Sequence, residues 1–489
     1  MRKPDILWNR DAEWTDLATV ATDPRPGATL ALLYGRRRQG KTLMLELLTE
    51  ATGGFMFTGL QQSATQQLAG LGEAYARFRR LPTRSAFADW RTAIDALLAL
   101  GDGVKAPVPV VLDEFGYLLE ASRELASVIQ NGLSPRGTAR RRGRTRLILC
   151  GSALTTMRSL LTGSAPLRGR ASAEIMLNPL DYRAAAGLWG LAGQPALAFR
   201  VHALLGGTPA YPEMAGAAPT TLAAFDRWVQ QRLLHPSSAL FREGNVLLQE
   251  EPEITDRLTC HAVLAALSQG RTRRGEIAAA LGRPDSSLTH PLVALEQVQL
   301  VEKVEDAFRQ KRSIYRIREP IIRTHQLILR PNEARLVARA SARVWADARE
   351  TVVSLIYGPH LEDLARIWCM HHAAEATVGG VATKVRPAVL ACRDHRRGHQ
   401  LDLVVTDGRP GKGERIIAIG EAKAHGRALA IEELKRLDHL RALLPPSQVT
   451  VPPRLILVST AGVARDLRAE AQRRGDVELV DLDRLYAGQ

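Results

Sequence analysis

Short apolar runs alternate with helical spacings through the first part of the chain. Positions 29–34, 55–58, 108–112, 146–150 and 173–177 have strand length, and 108–112 is apolar throughout, as a strand covered on both faces requires. Helical stretches lie between them. This alternation predicts a parallel sheet. From about 179 to 248 the spacing is helical throughout. The texture then changes. Short helices are expected at 261–267, 273–282 and 286–298, the last with Leu288, Leu292, Leu295 and Val298 at helical spacing, followed by a hairpin of 300–304 and 313–317. Positions 332–348 read as a charged helical connector. Beyond 352 comes a helix, then strands near 384–392, 400–406 and 415–422. A helix at 431–444, a strand at 453–459, another helix and a last strand at 477–480 complete a second α/β unit.

A chain of 489 residues has room for about three domains. Apolar residues make up 45% and charged residues 24%, which argues against global disorder. Lys and Arg total 66 against 51 Asp and Glu, a net charge of +15 that favours anionic partners, nucleic acid before membrane surface. No run approaches the ~18 apolar residues of a membrane-spanning helix. The first residues are too charged for a signal peptide. Four cysteines are too few for a disulfide scaffold. A cytoplasmic protein is therefore expected, with no membrane partner. The strongest local bias is an arginine-rich stretch at 136–146, whose leading Pro and Gly suggest a loop.

Gly35-Arg36-Arg37-Arg38-Gln39-Gly40-Lys41-Thr42 matches GxxxxGK[ST], placed after an apolar strand and before a helix. Glycines let backbone N–H groups curl around phosphate oxygens, and the helix N-terminus adds positive potential. Lys41 would reach the β- and γ-phosphates of ATP, and the Thr42 hydroxyl would bind Mg²⁺. Asp113 ends the strand at 108–112 and could complete the Mg²⁺ shell. Glu114 follows and could polarise the attacking water. Ser152, after the strand at 146–150, is either a γ-phosphate sensor or a helix cap. Arg170 either approaches the γ-phosphate, from its own chain or a neighbour in a homo-oligomer, or is a solvated loop arginine. Arg36, Arg37 and Arg38 contact a partner or nucleic acid, or are solvated.

The order Trp8-Asn9-Arg10-Asp11-Ala12-Glu13, YGRRRQGKT, LDEF, LILCGS, PLRGRAS and Leu205-Gly206-Gly207-Thr208-Pro209-Ala210-Tyr211 resembles the archaeal-type ATPase family. These are AAA+/STAND-like P-loop ATPases of archaea and bacteria. The resemblance covers about the first 230 residues. It implies that Asn9 and Arg10 lie near the nucleotide base and that the GGxPxY segment begins a helical lid.

Helix–turn–helix followed by a hairpin resembles a winged helix. Ser286, Ser287, Thr289 and His290 would then face a DNA groove. Affinity would rest on Arg309, Lys311 and Arg312 at the wing, with Arg271, Arg273 and Arg274. The same fold also serves protein contacts within ATPases.

In the C-terminal unit, Asp402 lies in one apolar strand and Glu421-Ala422-Lys423 ends the next. Buried strand carboxylates are costly without a cation or hydrogen bonds. Asp402 and Glu421 could hold Mg²⁺, with Glu362 from the preceding helix as a further carboxylate. Lys423, on the face of Glu421, could position the water that attacks a phosphodiester. This D…ExK order resembles the PD-(D/E)XK nuclease superfamily, in the DEXX-box form that often follows the archaeal-type ATPase. No proline precedes Asp402, a departure that leaves open a fold that binds without cutting. Cys369/His372 and Cys392/His395 form two C-x-x-H pairs, a spacing zinc uses. The plainer account is a helix end and a surface loop.

The expected architecture is α/β: a P-loop ATPase core with parallel sheet (1–200) and helical lid (201–252), a winged helix (253–330), a linker helix (331–349) and a restriction-endonuclease-like domain (350–489). The expected function is ATP binding and hydrolysis acting on DNA, with a Mg²⁺-dependent nuclease-like domain. The alternative is a nucleotide-dependent DNA- or protein-binding switch with an inert C-terminal domain.

Overall fold

The computed structural model describes residues 1–82, 87–252, 254–309, 313–392, 395–409 and 413–489. The chain forms two compact units. One comprises Met1–Pro179 with Glu250–Glu253, the other Leu180–Gln249 with Ile254–Gln489.

The first unit is built on strands β1 (Thr29–Tyr34), β2 (Phe55–Thr58), β3 (Val108–Asp113), β4 (Thr145–Gly151) and β5 (Ala171–Met176). They form a parallel sheet in the order β2-β3-β4-β1-β5. Alternate side chains feed two cores. Leu30, Leu32, Val110, Leu112, Leu147 and Leu149 pack into one. Ala31, Leu33, Val111, Ile148 and Cys150 pack on the other face, against Trp14 and Leu17 of helix α1 (Asp11–Thr22) and Met44, Leu45 and Leu48 of helix α2 (Lys41–Thr52). Coverage on both faces is why these strands read as continuous apolar runs.

The arginine-rich stretch is not simply a loop. Thr138–Arg142 is a short helix. It ends at Gly143, whose N–H donates to the Ala139 carbonyl. The Ala-Arg run favours helix strongly enough to override the leading Pro and Gly. Its arginines are also partly internal. Arg140 donates to the Ala28 carbonyl at 2.6 Å, Arg144 to Pro24, and the fully buried Arg146 to Gly27 at 2.6 Å and Asp23 at 2.7 Å. These guanidiniums satisfy the carbonyls of the turn before β1.

In the second unit, helices α3 (Arg257–Ser268), α4 (Arg274–Leu281) and α5 (Thr289–Gln297) precede an antiparallel pair, β6 (Val301–Glu305) and β7 (Ser313–Ile317). Helix α6 (Gly358–His371) leads to a five-stranded mixed sheet of β8 (Lys384–Cys392), β9 (Arg397–Arg409), β10 (Gly413–Lys423), β11 (Arg454–Ser459) and β12 (Val477–Val480). β8, β9 and β10 form an antiparallel meander, and β11 and β12 join parallel. Helices α7 (Ile431–Ala442) and α8 (Arg465–Arg474) connect β10 to β11 and β11 to β12. Leu434, Leu437 and Leu467 cover one face of this sheet with Leu401, Ile419 and Leu455. On the other face Leu403, Ala418 and Ile456 join a single core that runs through Trp368 of α6, Val263 of α3 and the helix Pro195–Leu205. The 195–205 helix, the three-helix segment and the sheet therefore share one interior. The connector at 332–348 is two helices, Glu333–Val337 and Ser341–Asp347, broken where Arg339 takes φ 64°.

The β6–β7 pair is sewn to the larger sheet. The Asp306 carboxylate accepts from Val389 N–H at 3.0 Å, and Ala307 N–H donates to the Pro387 carbonyl at 3.0 Å. Among the described residues no helix is long and apolar enough to cross a membrane.

Candidate nucleotide and carboxylate sites

The loop Gly35–Gly40 leaves β1 at the edge where β3 and β4 also end. A Cβ on Gly35 would lie 2.4 Å from the Leu177 carbonyl, so only glycine fits there. Gly40 has φ 86° and open space around its Cα, which suits a backbone cradle. Lys41, at the start of α2, is buried and donates to the carbonyls of Gly35 at 2.7 Å and Arg36 at 2.9 Å. Burial pushes its ammonium down, opposed by the nearby Cys150, Glu114 and Asp113. The Thr42 hydroxyl donates to Asp113 Oδ2 at 2.9 Å. A hydroxyl and a carboxylate this close, at the tips of α2 and β3, form a hard oxygen donor pair that fits Mg²⁺.

Glu114 takes φ 47° and ψ 45°, a conformation uncommon for a residue with a side chain. The Ser152 hydroxyl donates to Glu114 Oε1 at 3.1 Å. In this structure Ser152 therefore orients the acidic residue beside the loop.

Arg10 is buried behind the loop. It bonds the Asn178 carbonyl at 2.6 Å and the Gln39 carbonyl at 3.3 Å, and pairs with Glu13 at 2.9 Å. Asn9 is exposed, and its side chain accepts from Arg10 N–H. Arg37 pairs with Glu250 at 2.9 Å and donates to the Tyr117 hydroxyl at 2.6 Å. Arg170 is not brought to the loop. It immediately precedes β5, whose Ala171 lies opposite Leu30, whereas the loop leaves β1 at Tyr34, opposite Met176. At ~3.3 Å per residue the two ends lie about 13–17 Å apart, beyond an arginine's reach within one chain.

Sequence reasoning missed Glu250 and Glu251, which follow the first unit by seventy residues yet pack with it. Glu251 is buried, and its Oε2 has no hydrogen-bond partner among the described residues. Burial pushes this carboxyl up to about 7, against the pull of Arg36, Lys41 and Arg37. A raised folded-state value favours the protonated form. The associated stability is complete below the unfolded value of about 4.3 and is lost as pH rises through about 7. Glu251→Gln should therefore gain stability over wild type between pH 5 and pH 8, by on the order of 2–3 kcal/mol. Paired melts across that range check it; a constant difference would refute it.

The carboxylates of the second unit converge. Continuing the β9–β10 register sets Glu421 opposite Asp402. Both are buried, and Asp402 Oδ2 accepts from Ala422 N–H at 3.0 Å. Glu421 is clasped by Lys423 and by Arg436 of α7. Glu362 of α6 is pushed up by burial and by the charge of Asp402, and burial likewise raises Asp402. Two neighbouring carboxylates of this kind, Asp402 buried and Glu362 half-buried, are a site that a divalent cation would relieve. Arginines also enter. Arg366 donates to the Asp402 carbonyl at 2.8 Å, and Arg316 of β7 lies 3.7 Å from Glu362. Asp363, which the sequence reading passed over, binds Arg316, Arg366 at 2.7 Å and Arg323 at 3.8 Å. The Asp363–Arg366 spacing of three on a helix was its available signal. Glu362, Arg316, Arg323 and Gln400 border a cavity of about 420 Å³ that the three-helix segment also lines.

On that segment Ser286, Ser287, Thr289, His290, Arg271 and Arg273 are exposed, while Arg274 is tied to Asp285 at 3.0 Å and the Thr289 hydroxyl at 2.7 Å. Arg309 is exposed; Lys311 and Arg312 lie outside the described residues. The C-x-x-H pairs separate. Cys369 is buried in α6, and the His372 ring stacks edge-on to Tyr182 at 5.6 Å.

No protein-family model matches the chain. An uncharacterized protein of Methanocaldococcus jannaschii is 24% identical over 311 residues, 62% of this chain. The match spans 64% of that protein's length. A Walker-type ATPase of Pyrococcus abyssi aligns with a TM-score of 0.50 and 18% identity, over 66% of this chain and 97% of that one. The ORC2 protein of Aeropyrum pernix, solved with ADPNP and ADP, aligns with a TM-score of 0.41 and 15% identity, over 71% and 97%. By its parallel sheet, its glycine-bounded loop before α2 and its likeness to the Pyrococcus abyssi protein, the chain has the fold of a Walker-type P-loop ATPase.

Proposed function

We propose that the chain binds and hydrolyses ATP and couples that cycle to action on DNA. The observation that carries the reading is the Thr42–Asp113 contact of 2.9 Å beneath a buried Lys41. Lys41 would exchange its two carbonyl partners for β- and γ-phosphate oxygens. Magnesium held by Thr42 and Asp113 would neutralise phosphate charge. Glu114, oriented by Ser152, would take a proton from the attacking water. Arg170 would serve only from a neighbouring copy. The test is ATP turnover with and without DNA, in wild type and in Thr42→Ala. A loss of at least tenfold is expected in the variant at limiting Mg²⁺, and unchanged turnover would remove the metal assignment.

The DNA reading rests on the +15 charge and on the exposed Arg271, Arg273, Arg309 and His290. It predicts gel shifts that weaken steeply with salt. In the second unit Asp402, Glu421 and Glu362 would hold Mg²⁺, which would supply the positive charge a scissile phosphodiester needs. Lys423 would orient the water. Mg²⁺-dependent cleavage of plasmid or single-stranded DNA should disappear in Asp402→Ala and Lys423→Ala. One observation favours a second reading, a switch with an inert C-terminal domain. Lys423 and Arg436 already neutralise Glu421. Wild-type protein that leaves all DNA intact at saturating Mg²⁺ and ATP would select it.

A further inference from the structure

Four side chains at one end of the mixed sheet point at a common centre. Cys392 ends β8, His395 follows it in the connection to β9, His399 lies in β9, and His439 projects from α7. Their sulfur and nitrogen atoms all lie within 4.8 Å of one another. Cys392 Sγ is 3.3 Å from His395 Nδ1 and 3.4 Å from His439 Nε2, and His395 Nδ1 is 3.2 Å from His399 Nε2. We propose that Cys392, His395, His399 and His439 form a four-ligand site for a zinc-class transition-metal ion.

The spacings carry this. Zinc bonds of ~2.3 Å to sulfur and ~2.05 Å to nitrogen, set tetrahedrally, place S and N about 3.5 Å apart and two N atoms about 3.3 Å apart. Three of the six edges, at 3.2–3.4 Å, match within a few tenths of an ångström, and all six lie within 4.8 Å. Hydrogen bonding alone accounts for the cluster poorly. His395 Nδ1 faces both a sulfur and another imidazole nitrogen, and one ring nitrogen offers either one N–H or one lone pair. A central cation uses every lone pair at once. The donor set has three imidazoles, one thiol and no carboxylate, which selects a borderline or soft ion over magnesium or calcium. Binding would release the Cys392 thiol proton to solvent. Cys392 and His399 are buried while His395 is exposed, leaving a path for the ion.

Four protein ligands close the coordination shell, the mark of a structural ion rather than a catalytic one. Its effect is to pin α7 to the β8–β9 connection. Arg436, one turn before His439, contacts Glu421 and donates to the Gln400 carbonyl at 3.2 Å. The ion would thereby hold in register the helix that neutralises the carboxylate cluster.

The experiment uses untagged full-length protein, stripped with a chelator and titrated with cobalt(II), then with zinc(II) in competition. The expected result is one cobalt per chain, with the d–d absorption of a tetrahedral site and a thiolate-to-metal charge-transfer band. Zinc should abolish both. Cys392→Ser should lose the charge-transfer band, and Cys369→Ser should keep it. His439→Ala should weaken binding by more than about 100-fold, since loss of a group one shell further out already costs about 10–100-fold. Wild-type protein that gives no thiolate band, or a band that survives in Cys392→Ser, overturns the site. The wild-type titration stands even if a variant fails to fold.

Discussion

Lys41→Ala is expected to lower ATP turnover by about 10²–10³-fold, the usual cost of deleting one preorganised donor to developing charge. The side chain is buried and held by two backbone carbonyls. Those bonds aim the ammonium across the loop, and among the described residues no carboxylate pairs with it, so a polyphosphate is its natural partner. Alanine removes the charge and leaves both carbonyls facing an apolar methyl. Steady-state phosphate release measures the effect. Equal rates in the two proteins would show that turnover occurs elsewhere, and calorimetric titration of the variant with ATP would separate lost binding from lost chemistry.

Asp363→Ala should destabilise the second unit by ~3–5 kcal/mol, as removal of one partner from a buried ionic group does. Burial alone would push the Asp363 carboxyl up, yet Arg316, Arg366 and Arg323 together outweigh burial and hold it at about 2. A depressed folded-state value contributes stability above the unfolded value of about 3.9, lost as pH falls toward 2. Alanine would leave three buried guanidiniums around one uncharged position, with Glu362 at 3.7 Å from Arg316 and 3.8 Å from Arg366, and with Glu302 opposite Arg316 in the β6–β7 ladder. Denaturant melts at neutral pH test this, and a midpoint within experimental error of wild type would contradict it. The variant should also lose the steep acid limb of the wild-type stability profile.

The parallel sheet and its phosphate loop were legible because both depend on local pattern. Strands covered on two faces must be apolar, and a loop that approaches Leu177 so closely must begin with glycine. The Asp402–Glu421 pairing was legible for a similar reason, since adjacent strands of one meander leave few registers. Contacts between distant segments were not. Nothing around Glu250 marks it as a partner of Arg37, and nothing near His439 marks it as a neighbour of Cys392. The spacing of Cys392 and His395 gave half of that cluster, while its apparent companion, Cys369 with His372, lies apart from it, Cys369 buried in an apolar helix face and His372 packed edge-on against Tyr182. Arg170 shows the converse. It lies in the PLRGRAS segment, and parallel register puts it at the end of the sheet opposite the glycine-bounded loop.

Residues Glu250–Glu253 belong with the first unit although the chain on either side belongs to the second. The polypeptide therefore passes between the units three times, and neither can be excised as one uninterrupted stretch. A fragment ending at Pro179 would strip Arg37 of its acidic partner and lose Glu251 altogether. Recombination at that boundary would part Glu250 and Glu251 from the unit they pack with.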